Sequence, residues 1–170
     1  QQHGHAALAE RRLEQLSGSY AAVADSAQLA QLQMILDVFP RFIRAAEREG
    51  LLRGLRQRIE RVLEKQWKTL ETALNDPGHD RHRVRLLIKR VRYGAEAYPE
   101  LDRLPALVAA RLKAAQKALG DWHDAWQWLL QAEQQTDLQP CVAQWRETLS
   151  RGEQQADRAL IKLSAACFRS

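Results

Sequence analysis

Glycine and proline are scarce, at eight and five in 170 residues, and Ala, Leu, Gln, Glu and Arg dominate what remains. These are strong helix formers, and so few helix breakers exclude a turn-rich sheet protein. No run of eighteen apolar residues occurs, which excludes a membrane-crossing helix and any membrane partner of that kind. The start of the chain lacks the charged and apolar halves of a signal peptide. Cysteine is limited to Cys141 and Cys167, at no metal-ligand spacing, which argues against a disulfide scaffold and for a reducing, cytoplasmic setting. The first residue is Gln1, not Met, so the chain is expected to begin inside a longer protein.

What is present is helical periodicity over nearly the whole length. Hydrophobic residues make up 45 % of the chain, enough for one compact unit or two small bundles sharing a core. Ala6 to Leu16 reads as a first helix ending near Ser17-Gly18-Ser19. A second runs from Ser26 towards Phe39, where Pro40 ends or kinks it before Gly50. The stretch from Leu51 to Leu74 is expected to be one long helix, with Leu52, Leu55, Ile59, Val62, Leu63, Leu70 and Leu74 on one side. "NDPG", Asn75 to Gly78, is a turn, since Pro77 presets one dihedral angle and Gly78 permits a positive one. Helices follow from Arg81 to Tyr98 and from Leu104 to Leu119. Gly120 is expected to end the latter, and Asp121 to cap the next helix, with Asp124 in its first turn. That helix runs to about Glu133, "TDLQP" forms a loop, and a last helix spans Pro140 to Cys167. The expected fold is therefore all-α, with seven or eight helices in antiparallel bundles.

Charge is distributed unevenly. The net charge is +5, but His79 to Leu119 holds ten Lys or Arg against four acids, a net of +6. The rest of the chain is nearly neutral. Six Lys or Arg residues and His82 fall within the twelve positions from Arg81 to Arg92. On a helical wheel His82, Arg85, Lys89, Arg92 and Tyr93 lie within about 100°, opposite Val84, Leu87, Ile88, Val91 and Ala95. Arg85–Lys89 and Lys89–Arg92 are like-charge neighbours on that stripe, relieved only by Glu96. A stripe that tolerates such repulsion suits a negatively charged partner. Lys113, Gln116 and Lys117 form a second polar stripe on the next helix, and two helices joined by a short connection should pack antiparallel, so that both stripes flank one groove. Arg58, Arg61, Lys65 and Lys68 make a further candidate stripe within about 80° on the long helix. Glu60, Glu64 and Glu71 run beside it and offer the alternative of simple ion pairing.

Two linked motifs carry a resemblance. "HRVRLLIKRVRY", His82 to Tyr93, followed by "KAAQKALGDWHD", Lys113 to Asp124, resembles the second half of a CHAD domain, the conserved histidine α-helical domain. The resemblance covers about Arg81 to Leu130. It implies two four-helix bundles related by a pseudo-two-fold axis, binding inorganic polyphosphate on basic helices that face a central groove, often at polyphosphate granules. Arg90 enters the binding set through this pattern alone, because it lies off the stripe. Some members of the family are fused to a triphosphate-processing tunnel domain, for which no strands are visible here. The family normally carries two His-x-x-Arg helices. Upstream of Arg81 none occurs, so the first bundle is expected to be incomplete or diverged, with 1–76 as the remainder of the first half and 77–170 as the second.

The expected function is non-catalytic binding of inorganic polyphosphate, without a cofactor. Arg85 and Arg92 suit bidentate phosphate contacts, and Lys89, Lys113 and Lys117 act as point charges. His82 can donate to a phosphate oxygen. Tyr93 sits at the edge of the core with its hydroxyl towards the groove. His79 with His82, and His3 with His5, lack further ligands at recognised spacing, so no metal site is expected. The five tryptophans read as bundle filling. Two rivals share the basic groove: a nucleic-acid-binding helical protein, which needs exposed aromatics for stacking, and an enzyme, or the accessory domain of one, acting on polyphosphate or triphosphate, which needs a carboxylate cluster for its metal.

Overall fold

The computed structural model describes the backbone of residues 2–168 and the side chains of 9–168 except Gln15. The histidines at positions 3 and 5 therefore lie outside the described side chains. Six α-helices follow one another: α1 (Gln2–Ala24), α2 (Ala27–Arg48), α3 (Leu55–Leu74), α4 (Arg81–Ala97), α5 (Ala106–Gln134) and α6 (Val142–Cys167). Short 3-10 turns at Pro99–Leu101 and Thr136–Cys141 precede α5 and α6. The architecture is all-α, as the composition requires.

Among the described residues the helices number six, not the seven or eight expected, and two expected ends, near Gly18 and at Gly120, are absent. α1 passes through Ser17-Gly18-Ser19 without a break. α2 passes through Pro40, which withholds a donor from the carbonyl of Leu36; residues 30–42 are exposed, so water can take its place. α5 continues through Gly120 for 29 residues. Gly120 therefore ends no helix, and Asp121 and Asp124 are mid-helix residues, not a cap and a first-turn acid.

By compactness the chain divides into 1–55 and 56–170, which groups α3 with the helices that follow it. The first unit holds α1 and α2. Ser26 caps α2, its hydroxyl accepting from the Leu29 amide at 3.2 Å. Leu32, Ile35, Leu36, Phe39 and Phe42 on α2 are each at least half exposed. Gly50 and Gly54 adopt positive φ angles of 72° and 73° in the turns before α3, which is why the long leucine-rich stretch becomes helical only at Leu55.

The second unit is a four-helix bundle built on one core. Leu70 of α3, Val84, Leu87, Ile88 and Val91 of α4, Val108, Leu112, Ala115 and Leu119 of α5, and Ala156, Leu160 and Leu163 of α6 are all buried in it. The α4 set recurs at i, i+3, i+4 and i+7, the helical period that places an apolar stripe against neighbours. α5 and α6 approach closely where Gly152 meets the backbone of Trp122, and a Cβ on Gly152 would lie 3.1 Å from the Trp122 Cα. At Gly94 a Cβ would fall 2.6 Å from Leu63 Cδ2, the flexible end of a side chain on α3, which can turn aside as the Trp122 backbone cannot. Among the described residues, no helix is long and apolar enough to cross a membrane.

Candidate anion-binding groove

Placement of the basic stripe begins with the start of α4. Asp80 caps the helix, its carboxylate accepting from the His82 amide at 2.9 Å. Arg81 then makes two 2.9 Å bonds to the Asp157 carboxylate, tying the first residue of α4 to α6. The Arg81 guanidinium holds Asp157 below its ordinary range, and the hydrogen bond from Arg81 outweighs the opposing effect of burial. With the first turn fixed and the apolar side in the core, His82, Arg85, Lys89 and Arg92 emerge as one row. Arg85, Lys89 and Arg92 are partly buried, and His82 is exposed.

This row meets α5 at both ends. Near the end of α4, Arg92 donates to the Gln116 side-chain oxygen at 2.9 Å and is also paired with Glu96. At its start, the His82 ring lies 5.1 Å from that of His123. Gln116, Gly120 and His123 are four and three residues apart, so they share one face of α5, with Gly120 in the middle. A Cβ on Gly120 would meet nothing within 4 Å. Arg85 and Lys89 lie between His82 and Arg92 on α4, and Gly120 lies between Gln116 and His123 on α5, which makes the space between these two contacts the candidate groove.

The remaining expected residues divide. Lys89 Nζ sits 5.7 Å from the Tyr93 ring centroid, a cation–π contact, and Tyr93 is half exposed. Lys113 is exposed beside the groove, and Lys117 is paired with Asp121 at 2.6 Å. Arg90 is exposed and lies two turns beyond Arg83, on the side of α4 that faces away from α5. Arg83 lines a separate recess of about 740 Å³ with Arg61, Lys65 and Lys68 of α3, in which Glu64, Asp76 and Asp80 balance most of the charge. Lys68 is bonded to Glu64 at 2.7 Å, the pairing that the neighbouring acids foreshadowed, and Arg58 is exposed. The structure therefore brings together His82, Arg85, Lys89, Arg92 and Tyr93, with Lys113 at the edge, and separates them from the α3 stripe.

His123 was not among the expected site residues. It is partly buried and packs against Trp126 at 5.6 Å as well as His82. Its pKa is lowered, first by burial and then by the positive charge of Arg85. Trp126 is 38 % exposed and Trp128 43 %, so neither is bundle filling, whereas Trp67 and Trp122 do pack on the core. The spacing of Gln116, Gly120 and His123 would have shown this face once the helix was carried through the glycine.

The family model for the CHAD domain matches residues 1–133, more than three quarters of the chain. The chain belongs to the CHAD family. No curated protein and no solved structure matches it. The matched span of this CHAD chain includes α4, with the basic row, and nearly all of α5, with Gln116, Gly120 and His123.

Proposed function

We propose that this chain binds inorganic polyphosphate without turning it over, along the groove between α4 and α5. Its place would be with polyphosphate granules. The observation that carries the reading is the row His82, Arg85, Lys89 and Arg92, which touches α5 at its two ends, through Arg92 with Gln116 and His82 with His123. A chain of phosphates has no bases to read, so charge density and unobstructed access are what recognition needs. Arg85 and Arg92 offer planar, bidentate donors, and Lys89 and Lys113 add point charges at the edges. Lys117 and Arg92 already hold acids, Asp121 and Glu96, which an incoming phosphate would displace.

A second reading, binding of single-stranded nucleic acid, is favoured by exposed Trp126 beside His123, an aromatic face on which a base could stack. Competition between long-chain polyphosphate and single-stranded DNA of matched charge, at fixed salt, separates the two. Polyphosphate should win, and replacing Arg85, Lys89 and Arg92 together by Ala should abolish its binding. Equal binding of both polymers would sink the polyphosphate reading, and an unaffected triple variant would sink the groove. Affinity should fall steeply with salt, by analogy with single strands at about 0.7 log unit per tenfold rise in salt for each neutralised phosphate. Phosphate release in the presence of magnesium would overturn the non-catalytic assignment.

A further inference from the structure

His82 and His123 come from different helices and bring two imidazoles to 5.1 Å at one end of the groove. The groups around His123 are Arg85, His82 and Lys89 on α4 and Asp124 on α5. Positive groups outnumber the single carboxylate, so an added charge on this ring meets repulsion. A protonated imidazole also carries two N–H donors that both require acceptors. The Nδ1 atom of His123 is shut off from solvent and has no hydrogen-bond partner, so the protein itself gives the charged ring little support. Trp122 and Trp126 flank it at 6.2 and 5.6 Å, adding ring faces and no further carboxylate.

Burial, the largest influence against a proton on His123, stays in place, but a polyanion lying in the groove offsets the repulsion from its basic neighbours. Its charge falls beside Arg85 and Lys89, the residues that otherwise disfavour a proton on His123. We propose that anion binding here is proton-linked: a bound polyanion draws a proton onto His123, so the groove holds its ligand more tightly in mildly acidic solution. This rests on the reading of the α4–α5 groove as the polyanion site. The sign follows from linkage, since any ligand that raises proton affinity at a group must itself bind better where that group is protonated. One proton taken up sets a ceiling of about tenfold in affinity per pH unit.

The test is a series of binding isotherms for long-chain polyphosphate between about pH 5.5 and 8 at constant ionic strength, the range over which an imidazole titrates. Calorimetry in buffers of different ionisation enthalpy counts the protons taken up. The unaltered chain should bind several-fold more tightly at the acidic end and take up a fraction of a proton near neutrality. His123→Gln, which keeps a polar side chain without a titrating ring, should lose most of that slope. A direct NMR titration of the His123 ring, with and without polyphosphate, reads the same event without any variant, and the ring should titrate at higher pH in the complex. Binding that is independent of pH, an unshifted ring, or an undiminished slope in His123→Gln would each overturn the proton link while leaving the groove intact. Absence of polyphosphate binding at every pH would instead overturn the groove reading, and the link with it.

Discussion

Three glycines sit inside the helices of the bundle, and one of them, Gly152, is explained by contact with backbone. A methyl group at Gly152 would press on the backbone of Trp122, whereas one at Gly94 would meet only the flexible end of Leu63. Gly120 has no such reason, since its Cβ position is open and its φ is not positive. Glycine inside a helix is less favourable than alanine by about 0.8 to 1 kcal/mol, so Gly120→Ala should stabilise the bundle by up to that amount. For a chain of this size that is a rise in melting temperature of about 2 to 4 °C. Gly152→Ala should do the opposite, because overpacking costs about 1 to 3 kcal/mol and the Trp122 backbone cannot move aside as a flexible side chain can. Thermal and urea unfolding followed by circular dichroism compare the two. Binding is then measured on Gly120→Ala and on Gly120→Leu, since Leu is also a good helix former and fills more of the groove. Polyphosphate affinity should fall from Gly to Ala to Leu while stability does not. A destabilised Gly120→Ala would refute the claim of open space, and a Leu variant that binds as well as the unaltered chain would refute its role in the groove.

Three further outcomes follow from the bundle. Leu112→Ala removes a fully buried side chain at the centre of the core and should cost about 2 to 5 kcal/mol in urea unfolding. Arg81→Ala breaks a partly exposed pair and should cost only about 1 kcal/mol or less at neutral pH. Because Asp157 titrates below its ordinary 3.8, the pair contributes above that pH and is lost as acid protonates the folded carboxylate, so acid unfolding below about pH 4 should be shallower in Arg81→Ala. Burial pushes the Cys167 thiol up to about 11, and alkylation at pH 8, mapped by mass spectrometry, should be about a hundredfold slower in the folded chain than after unfolding.

Much of this was legible in the sequence because the apolar positions of α4 recur with helical period and leave a single possible side for the core. The row His82, Arg85, Lys89 and Arg92 followed directly. Gly120 was misread because a glycine followed by an aspartate, which can cap a helix, has the local pattern of a helix end. Burial of Ala125 and Ala132 further along α5 overrides that weak preference and carries the helix on. The same override hid His123, whose relation to Gln116 exists only on a continuous helix. At Pro40 the sequence left an end or a kink open, and the helix continues to Arg48, because proline removes one hydrogen bond without forbidding the turns on either side. The ion pairs were partly visible: Lys68 with Glu64 follows from spacing, whereas Arg81 with Asp157 joins positions 76 residues apart and depends on the packing of α4 and α6.

Arg92 differs from its neighbours in being tethered at both sides, to Gln116 of α5 and to Glu96 along its own helix. An arginine free in solution samples many rotamers, and restricting them costs about 1.5 to 2 kcal/mol. Here much of that loss of freedom occurs when α4 and α5 dock, before any anion arrives. Under the proposed reading, Gln116 keeps the guanidinium in place as a preset donor once a phosphate has displaced Glu96, and the ordering that binding would still require falls mainly on the side chains that precede it.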